Sequence, residues 1–147
     1  MTGVLIYLNN SVLARLTDEL SQHRVREENL AVRRILSAVQ EGRVTWVPSI
    51  ASLQEASSIQ EQGMREDRLA LIGTASAILR SDESCELRAK ALERLGFGGG
   101  DALHIAYAEH ARAELFITTD DRLLRLAART LRQGSLSFLN PVDWMPE

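Results

Sequence analysis

Hydrophobic positions along this chain follow two rhythms, short continuous runs and longer stripes at helical spacing. Val4 to Leu8 is an unbroken apolar run between Gly3 and Asn9, the pattern of a strand buried on both faces. From Arg26 to Gly42, residues Val32, Ile35, Leu36 and Val39 recur at offsets of 0, 3, 4 and 7, which predicts a helix with one apolar stripe. The segment VTWVPS from Val44 predicts a short strand ended by Pro48. Ser49 or Ser52 can then cap a helix carrying Leu53, Glu55, Ala56 and Ile59. Gly63 separates this from a further helix around Glu66 to Ser76, and SAILRSD predicts a brief strand at Ala77 to Arg80. Ser81 or Asp82 can cap the next helix, which runs to Leu95 and closes at Gly96. The glycine cluster GFGGG leads into DALHIAYAEHA, apolar nearly all round and so a buried helix. ELFITTDD predicts another buried strand with a polar end, followed by a helix carrying Leu123, Leu124, Ala127 and Leu131. LSFLNPVDW supplies a last short strand and a Pro-terminated tail. Strands alternating with helices predict an α/β fold with a parallel sheet covered on both faces. The pattern contains no repeat, linker or low-complexity tract.

At 147 residues the chain is long enough for one domain with a real core and too short for two, so a single domain over 1–147 is expected. Hydrophobic residues at 45% and charged residues at 25% are ordinary for a globular protein and argue against disorder. No apolar run approaches bilayer length and no signal-type segment opens the chain, so no membrane association and a cytoplasmic location are expected. Cys85 is the single cysteine, which excludes an internal disulfide or a cysteine metal cluster and leaves it as a small packing residue. The net charge of −3 does not announce nucleic-acid binding, yet does not exclude it. Sixteen of the 17 basic residues are arginines, Lys90 being the exception, and no G-x-x-x-x-G-K-[ST] motif exists, which removes the P-loop reading.

Ligands of an open parallel sheet bind beyond the carboxyl ends of its strands. Asn9, Asn10 and Ser11 follow the first strand, and Thr118, Thr119, Asp120 and Asp121 follow LFI. Asp101 heads a buried helix, and Glu55 lies on the helix after TWVPS. Carboxylates converging without a lysine raise one another's pKa values, and a divalent metal relieves that repulsion. Oxygen-only ligation favours Mg²⁺ or Mn²⁺ over zinc. Taken singly, Asp101, Asp120 and Asp121 each read as helix caps, and Glu55 as a solvated helix residue. His104, one turn after Asp101, reads either as a metal ligand or as a hydrogen-bonded core histidine, while His23 and His110 look like surface residues. Arg15, Arg122 and Arg125 follow the first and fourth motifs and are candidates for holding a phosphate backbone, with a solvated helix face as the plainer reading.

These segments resemble the PIN domain family over nearly the whole chain. VLIYLNNSVLARL is similar to its opening strand motif, SIASLQEASS to its second acidic segment, GGGDALHIAYAE to its third and LFITTDDRLLRLA to its fourth. The similarity is to the stand-alone bacterial branch that includes VapC-type toxins, with NPVDW as the matching tail. The resemblance implies a three-layer α/β/α fold with a parallel sheet of four to five strands in the order 3-2-1-4-5. It also implies Mg²⁺- or Mn²⁺-dependent endoribonuclease activity, an RNA substrate, an antitoxin protein partner and a homodimer. Its metal and catalytic positions fall on Asn9, Glu55, Asp101 and Asp120. Ser11 and Thr118 match positions that support those acids by hydrogen bonding, with Asp121 beside them.

The family's first strand ends in aspartate, and this chain has Asn9 there, which keeps the shape and one carbonyl oxygen but loses the charge. Gly98 to Gly100 also replace a stretch that often carries a basic residue. Two accounts fit Asn9: either the acid was removed to silence a nuclease, or this branch works with fewer charges. Two functions follow, a metal-dependent ribonuclease weakened or inactive through Asn9, and a non-catalytic PIN-like module that binds RNA or protein. A phospho-acceptor reading is disfavoured because Lys90 lies on a remote helix.

Overall fold

A computed structural model describes residues 3–147. The predicted first strand is present as β1, Val4–Leu8. It pairs in parallel with β2, Val44–Trp46, on one side and with β3, Leu115–Ile117, on the other, and β4, Ser137–Leu139, lies beside β3. The four strands stand in the order β2-β1-β3-β4 and all run parallel. The fifth strand expected at Ala77 to Arg80 is reduced to one parallel bridge between Ser49 and Leu79. There Ile50 N donates to Leu79 O at 2.8 Å and Leu79 N donates to Pro48 O at 2.9 Å. The ladder stops because its partner chain is already turning into a helix at Ser49. The outer position of the expected five-strand order is therefore a single contact rather than a strand.

Alternation along β1 builds the layers, since successive side chains of a strand point to opposite faces. Tyr7 and Phe116 pack with α5 (Glu83–Arg94), α6 (Gly99–His110) and α7 (Asp121–Thr130), through Ala89, Leu92, Ile105, Leu123 and Ala127. Ile6, Leu8 and Ile117 face the other way, onto α2 (His23–Gln40), α3 (Ile50–Ser57) and α4 (Gln62–Gly73), through Val32, Ile35, Ala56 and Ile72. The result is the three-layer α/β/α arrangement. Each fully buried Ile, Leu or Phe in these clusters contributes about 1.5–3 kcal/mol. Phe116 is the hinge of one face, stacked on Tyr7 at 5.5 Å between ring centroids and tilted against Phe138 at 5.3 Å.

Caps set the boundaries. Ser49, rather than Ser52, caps α3, and Ser52 closes the reciprocal capping box. Asp82 caps α5 by accepting from Cys85 N at 2.8 Å. Helix α4 starts four residues earlier than the apolar pattern indicates because the Glu61 carboxylate accepts from Gly63 N and Met64 N at 2.9 and 2.7 Å. After α5 the chain reverses at Gly96, whose φ of 113° is a left-handed conformation that side chains rarely adopt. A short helix, α1 (Asn10–Ala14), was not visible in the hydrophobic pattern, since five residues are too few to display a stripe.

A candidate metal groove at the strand ends

In a sheet ordered β2-β1-β3-β4, the direction of winding reverses between β1 and β3, and the crevice outside their carboxyl ends is where such sheets bind ligands. Asn9 and Thr118 stand there side by side. Asn9 N donates to Ile117 O at 2.9 Å, continuing the ladder, and the Asn9 side chain is 5% exposed. Its Oδ1 accepts from Asn10 N at 2.9 Å, capping α1, and its Nδ2 donates to Thr118 Oγ1 at 3.0 Å. Asp120 N also donates to Thr118 Oγ1, at 3.1 Å, so the hydroxyl proton of Thr118 is left for Ser11 Oγ at 3.3 Å. Ser11 Oγ accepts as well from Thr119 N at 3.2 Å. Ser11 and Thr118 thus tie the end of β1 to the turn that carries Asp120.

Three carboxylates face this ladder. Asp120 caps α7, accepting through Oδ1 from Arg122 N and Leu123 N at 3.0 and 3.1 Å, which leaves Oδ2 uncommitted. Asp101 lies in the first turn of α6, whose cap is Gly98, so its side chain is not consumed by capping. Burial pushes the Asp101 carboxyl above its ordinary value and the charge of Asp120 adds to this, with Glu55 contributing in the same sense; His104 and Asn9 oppose it. Glu55, on α3, accepts or shares a proton with His104 Nε2 at 2.8 Å. His104 is the hydrogen-bonded core histidine, 2% exposed, and its other nitrogen, Nδ1, meets the Tyr7 hydroxyl, which also bonds Ser49 Oγ at 2.6 Å. Burial pushes the Tyr7 hydroxyl well above the usual phenol range, so it stays protonated. A sealed chain Ser49–Tyr7–His104–Glu55 therefore runs from the core to the groove.

A family model described as PIN domain matches residues 6–129. The chain belongs to the PIN domain family. Among solved structures, this PIN domain is similar to VapBC2 from Rickettsia felis bound to a DNA fragment from its promoter. The TM-score is 0.60 at 14% identity, covering 93% of this chain and 98% of that one. It is also similar to FitAB bound to an IR36 DNA fragment, with a TM-score of 0.61 at 16% identity over 95% and 96% of the two chains. No curated protein matches the sequence. These likenesses show a shared fold, and no helix among the described residues is long and apolar enough to cross a membrane.

The remaining sequence candidates fall around the groove of this PIN domain in different states. Arg122 lines a small cleft with Asp101, Asp120, Gly96 and Phe97, and Arg125 lies one turn further along α7. Arg15 is engaged by Glu28 and Asp18, each at 2.7 Å. Asp121 is bound by Arg24 at 2.7 and 2.9 Å, and that arginine holds its carboxyl below the ordinary value. The groove acids do not close into a compact cluster. Among the described residues, the one set of acidic, histidine and cysteine donors gathered within 4.8 Å is Asp82, Cys85 and His110, on the far side of α5 and α6. Cysteine counting did not point to that set, because only one member is a cysteine.

Sequence reading also missed Arg68, on α4. It is 6% exposed, and Nη1 donates to Asn10 Oδ1 at 3.1 Å. The signal was there, since Arg68 precedes the buried Ile72 by four residues and so shares its face of the helix.

Proposed function

We propose that this PIN domain is a divalent-metal-dependent endoribonuclease of the VapC-toxin type, weakened by Asn9. The observation that carries this reading is that Asp101 and Asp120 line one cleft of a chain that matches the PIN domain over residues 6–129. Burial and the charge of Asp120 both push the Asp101 carboxyl upward, and a bound cation would relieve the repulsive part. Glu55, Asp101 and Asp120, with the Asn9 carbonyl oxygen, are the groups that would hold Mg²⁺ or Mn²⁺, and the oxygen donor set suits either ion. Such an ion supplies charge to polarise a phosphate and to lower the pKa of an attacking water. The chain's own residues do the rest. Thr118 and Ser11 fix Asn9 and the Asp120 turn, His104 fixes Glu55, Arg122 lines the cleft where a phosphate backbone would pass, and Arg125 follows one turn along α7.

Removing one unit charge about 4 Å from a cation forfeits up to about 4 kcal/mol per ionic charge at an effective dielectric of about 20, or a factor of about a thousand in affinity. Cleavage of single-stranded and structured RNA is therefore expected to be weak for the protein as it stands and strong for its Asn9→Asp variant, in Mg²⁺ or Mn²⁺ and not in EDTA. Absence of metal-dependent cleavage by Asn9→Asp would overturn the enzymatic reading.

The second reading, a non-catalytic module, is favoured by the Asn9 amide, which is committed on both sides to Asn10 N and Thr118 Oγ1. Tight Mn²⁺ binding by the unmodified protein in calorimetry counts against it. On either reading a protein partner of antitoxin type fits, since the similar VapBC2 and FitAB are both two-component complexes. A groove of mixed character, with Leu16, Leu36, Val39, Trp46 and Leu71 beside Arg33, Ser37, Gln40 and Thr74, offers it a seat. The Trp46 indole N–H there is sealed from solvent and has no acceptor.

A further inference from the structure

Arg68 is a charged group in an unusual state. Its side chain reaches from α4 to the start of α1, and residue burial is 94% complete, yet among the described residues no carboxylate lies within ion-pair distance of it. Its single hydrogen bond runs from Nη1 to the neutral Asn10 Oδ1. A guanidinium offers five N–H donors in a planar fork, and burying it without a counter-charge is unfavourable. Asp18 and Glu55 act on it only through their fields, and burial holds its pKa below the ordinary arginine value.

The unused part of the fork is the edge formed by Nε and Nη2. Neither atom has a partner, while Trp46 Nε1 is the one side-chain nitrogen among the described residues that is both partnerless and sealed from solvent. Nε and Nη2 of Arg68 are therefore not fully sealed, and the small exposed part of this 94% buried residue includes them. That edge is the one that binds carboxylate or phosphate oxygens in parallel pairs. Of the groove acids, Glu55 is the one whose charge acts on Arg68, and its anchor, Asn10, adjoins Asn9.

We propose that Arg68 is a phosphate-binding residue that grips one phosphodiester of an RNA strand beside the Asn9–Glu55 side of the groove, with Asn10 holding the guanidinium in plane. This rests on the reading that RNA enters the groove. The bound phosphate supplies the missing counter-charge, and the two free N–H groups meet two of its oxygens. Arg122 and Arg125, on the opposite side of the groove, contact the strand elsewhere, so Arg68 sets where along the strand the groove acids fall.

The test is fluorescence anisotropy of a labelled 2′-O-methyl oligoribonucleotide of about 12 nucleotides, titrated with the full chain in Mg²⁺ at several salt concentrations. Arg68→Gln is expected to weaken binding about 10- to 100-fold, the worth of one charge-assisted bidentate contact. It should also lower the slope of log K against log salt by about 0.7, one phosphate on a single strand. Arg68→Lys should keep the slope and recover only part of the affinity. In case Arg68→Gln fails to fold, the Nε–H resonance of Arg68 in the unmodified protein, assigned by its loss in Arg68→Lys, is expected to move on titration with the oligonucleotide. If the unmodified protein binds and Arg68→Gln matches it in affinity and slope, or the resonance stays fixed, Arg68 does not hold phosphate, while the RNA reading survives. If the unmodified protein does not bind the oligonucleotide at all, both fall.

Discussion

Replacing Asn9 by aspartate is the most informative single change, because the structure lets the outcome be worked out for each condition. The side chain is 5% exposed and its neighbours can accept the exchange without moving. Oδ1 keeps the bond from Asn10 N. The second oxygen takes the Thr118 hydroxyl proton that now goes to Ser11, and Thr118 still accepts from Asp120 N. The perturbation adds a charge and also removes the Asn9 amide as a hydrogen-bonding neighbour of Asp101. Two carboxylates about 5 Å apart at an effective dielectric of about 20 repel by about 3 kcal/mol, and solvent at the groove mouth reduces this. At about 2–4 °C per kcal/mol for a chain of this size, a loss of about 1–3 kcal/mol lowers the melting temperature by about 2–12 °C in EDTA.

The pH dependence carries a definite sign. The Asp101 carboxyl titrates above its ordinary value of 3.8 in the folded protein, through burial first and Asp120 second. Its proton is held more tightly in the folded state, so its contribution to stability is present below the unfolded pKa and is lost as pH rises through the folded one. The added acid raises it further. The deficit of Asn9→Asp in EDTA should accordingly shrink toward pH 4 and be complete at neutral pH. With Mn²⁺ at a hundredfold excess over Kd the sign reverses, since binding to the folded state alone adds about 2.7 kcal/mol. Differential scanning calorimetry of both forms, with EDTA and with Mn²⁺ at two pH values, checks this. Coincident melting curves in both conditions would mean that position 9 shares no pocket with Asp101, and the site would fail with it.

Two further substitutions test the scaffold. Glu28, 1% exposed, accepts from Arg15 and Asn140 at 2.7 Å and from Arg24 at 3.1 Å; burial opposes its ionisation, but these donors hold its pKa below 4.5. Because both arginines are partly solvated, Glu28→Ala should cost about 2–3 kcal/mol rather than the full value of a buried pair. The deficit should narrow as pH falls below about 4.5, where the native interaction is itself being lost; urea denaturation at pH 7 and pH 4 measures it, and an equal deficit at both would contradict the charge assignment. Tyr7→Phe leaves Ser49 Oγ and His104 Nδ1 without their shared partner and should cost about 1–3 kcal/mol; an unchanged urea midpoint would show that the Ser49–Tyr7–His104 chain is not holding the groove wall.

The sheet and its helices were legible wherever an apolar run or stripe was long enough to have a period. Val4–Leu8 and LFI read as buried strands because both faces are covered, and the DALHIAYAEHA helix read as buried because it is apolar on every side. What the pattern could not carry is where pairing stops. Ala77 to Arg80 has the composition of a strand, but its only neighbour turns into α3 at Ser49, and one bridge results. The groove acids were legible because each follows a strand or heads a helix. Their supports were less so. Tyr7 looked like one more apolar residue of β1, and its bonds to Ser49 and His104 join positions 42 and 97 residues apart. Arg68 was hidden for the opposite reason, as an arginine on a helix rich in charge, where only its spacing from Ile72 betrays a buried face.

Asn9 alters more than metal affinity. With aspartate at the end of β1, four carboxylates would face one another across the β1–β3 crevice, and the fold would lean on a cation to hold that crevice together. With asparagine, the amide donates to Thr118 and becomes a direct tie between the ends of the two central strands, the same tie that positions the Asp120 turn. Glu55 rests on His104, Asp120 on the start of α7, and Asp101 alone carries the residual strain as a raised pKa. On this argument Asn9 exchanges ion binding for standing order in the empty groove. The exchange is consistent with both a silenced nuclease and a binding module, and they part on the metal response of the Asn9→Asp protein. A silenced nuclease regains cleavage with the charge. A binding module gains the ion and still cuts nothing.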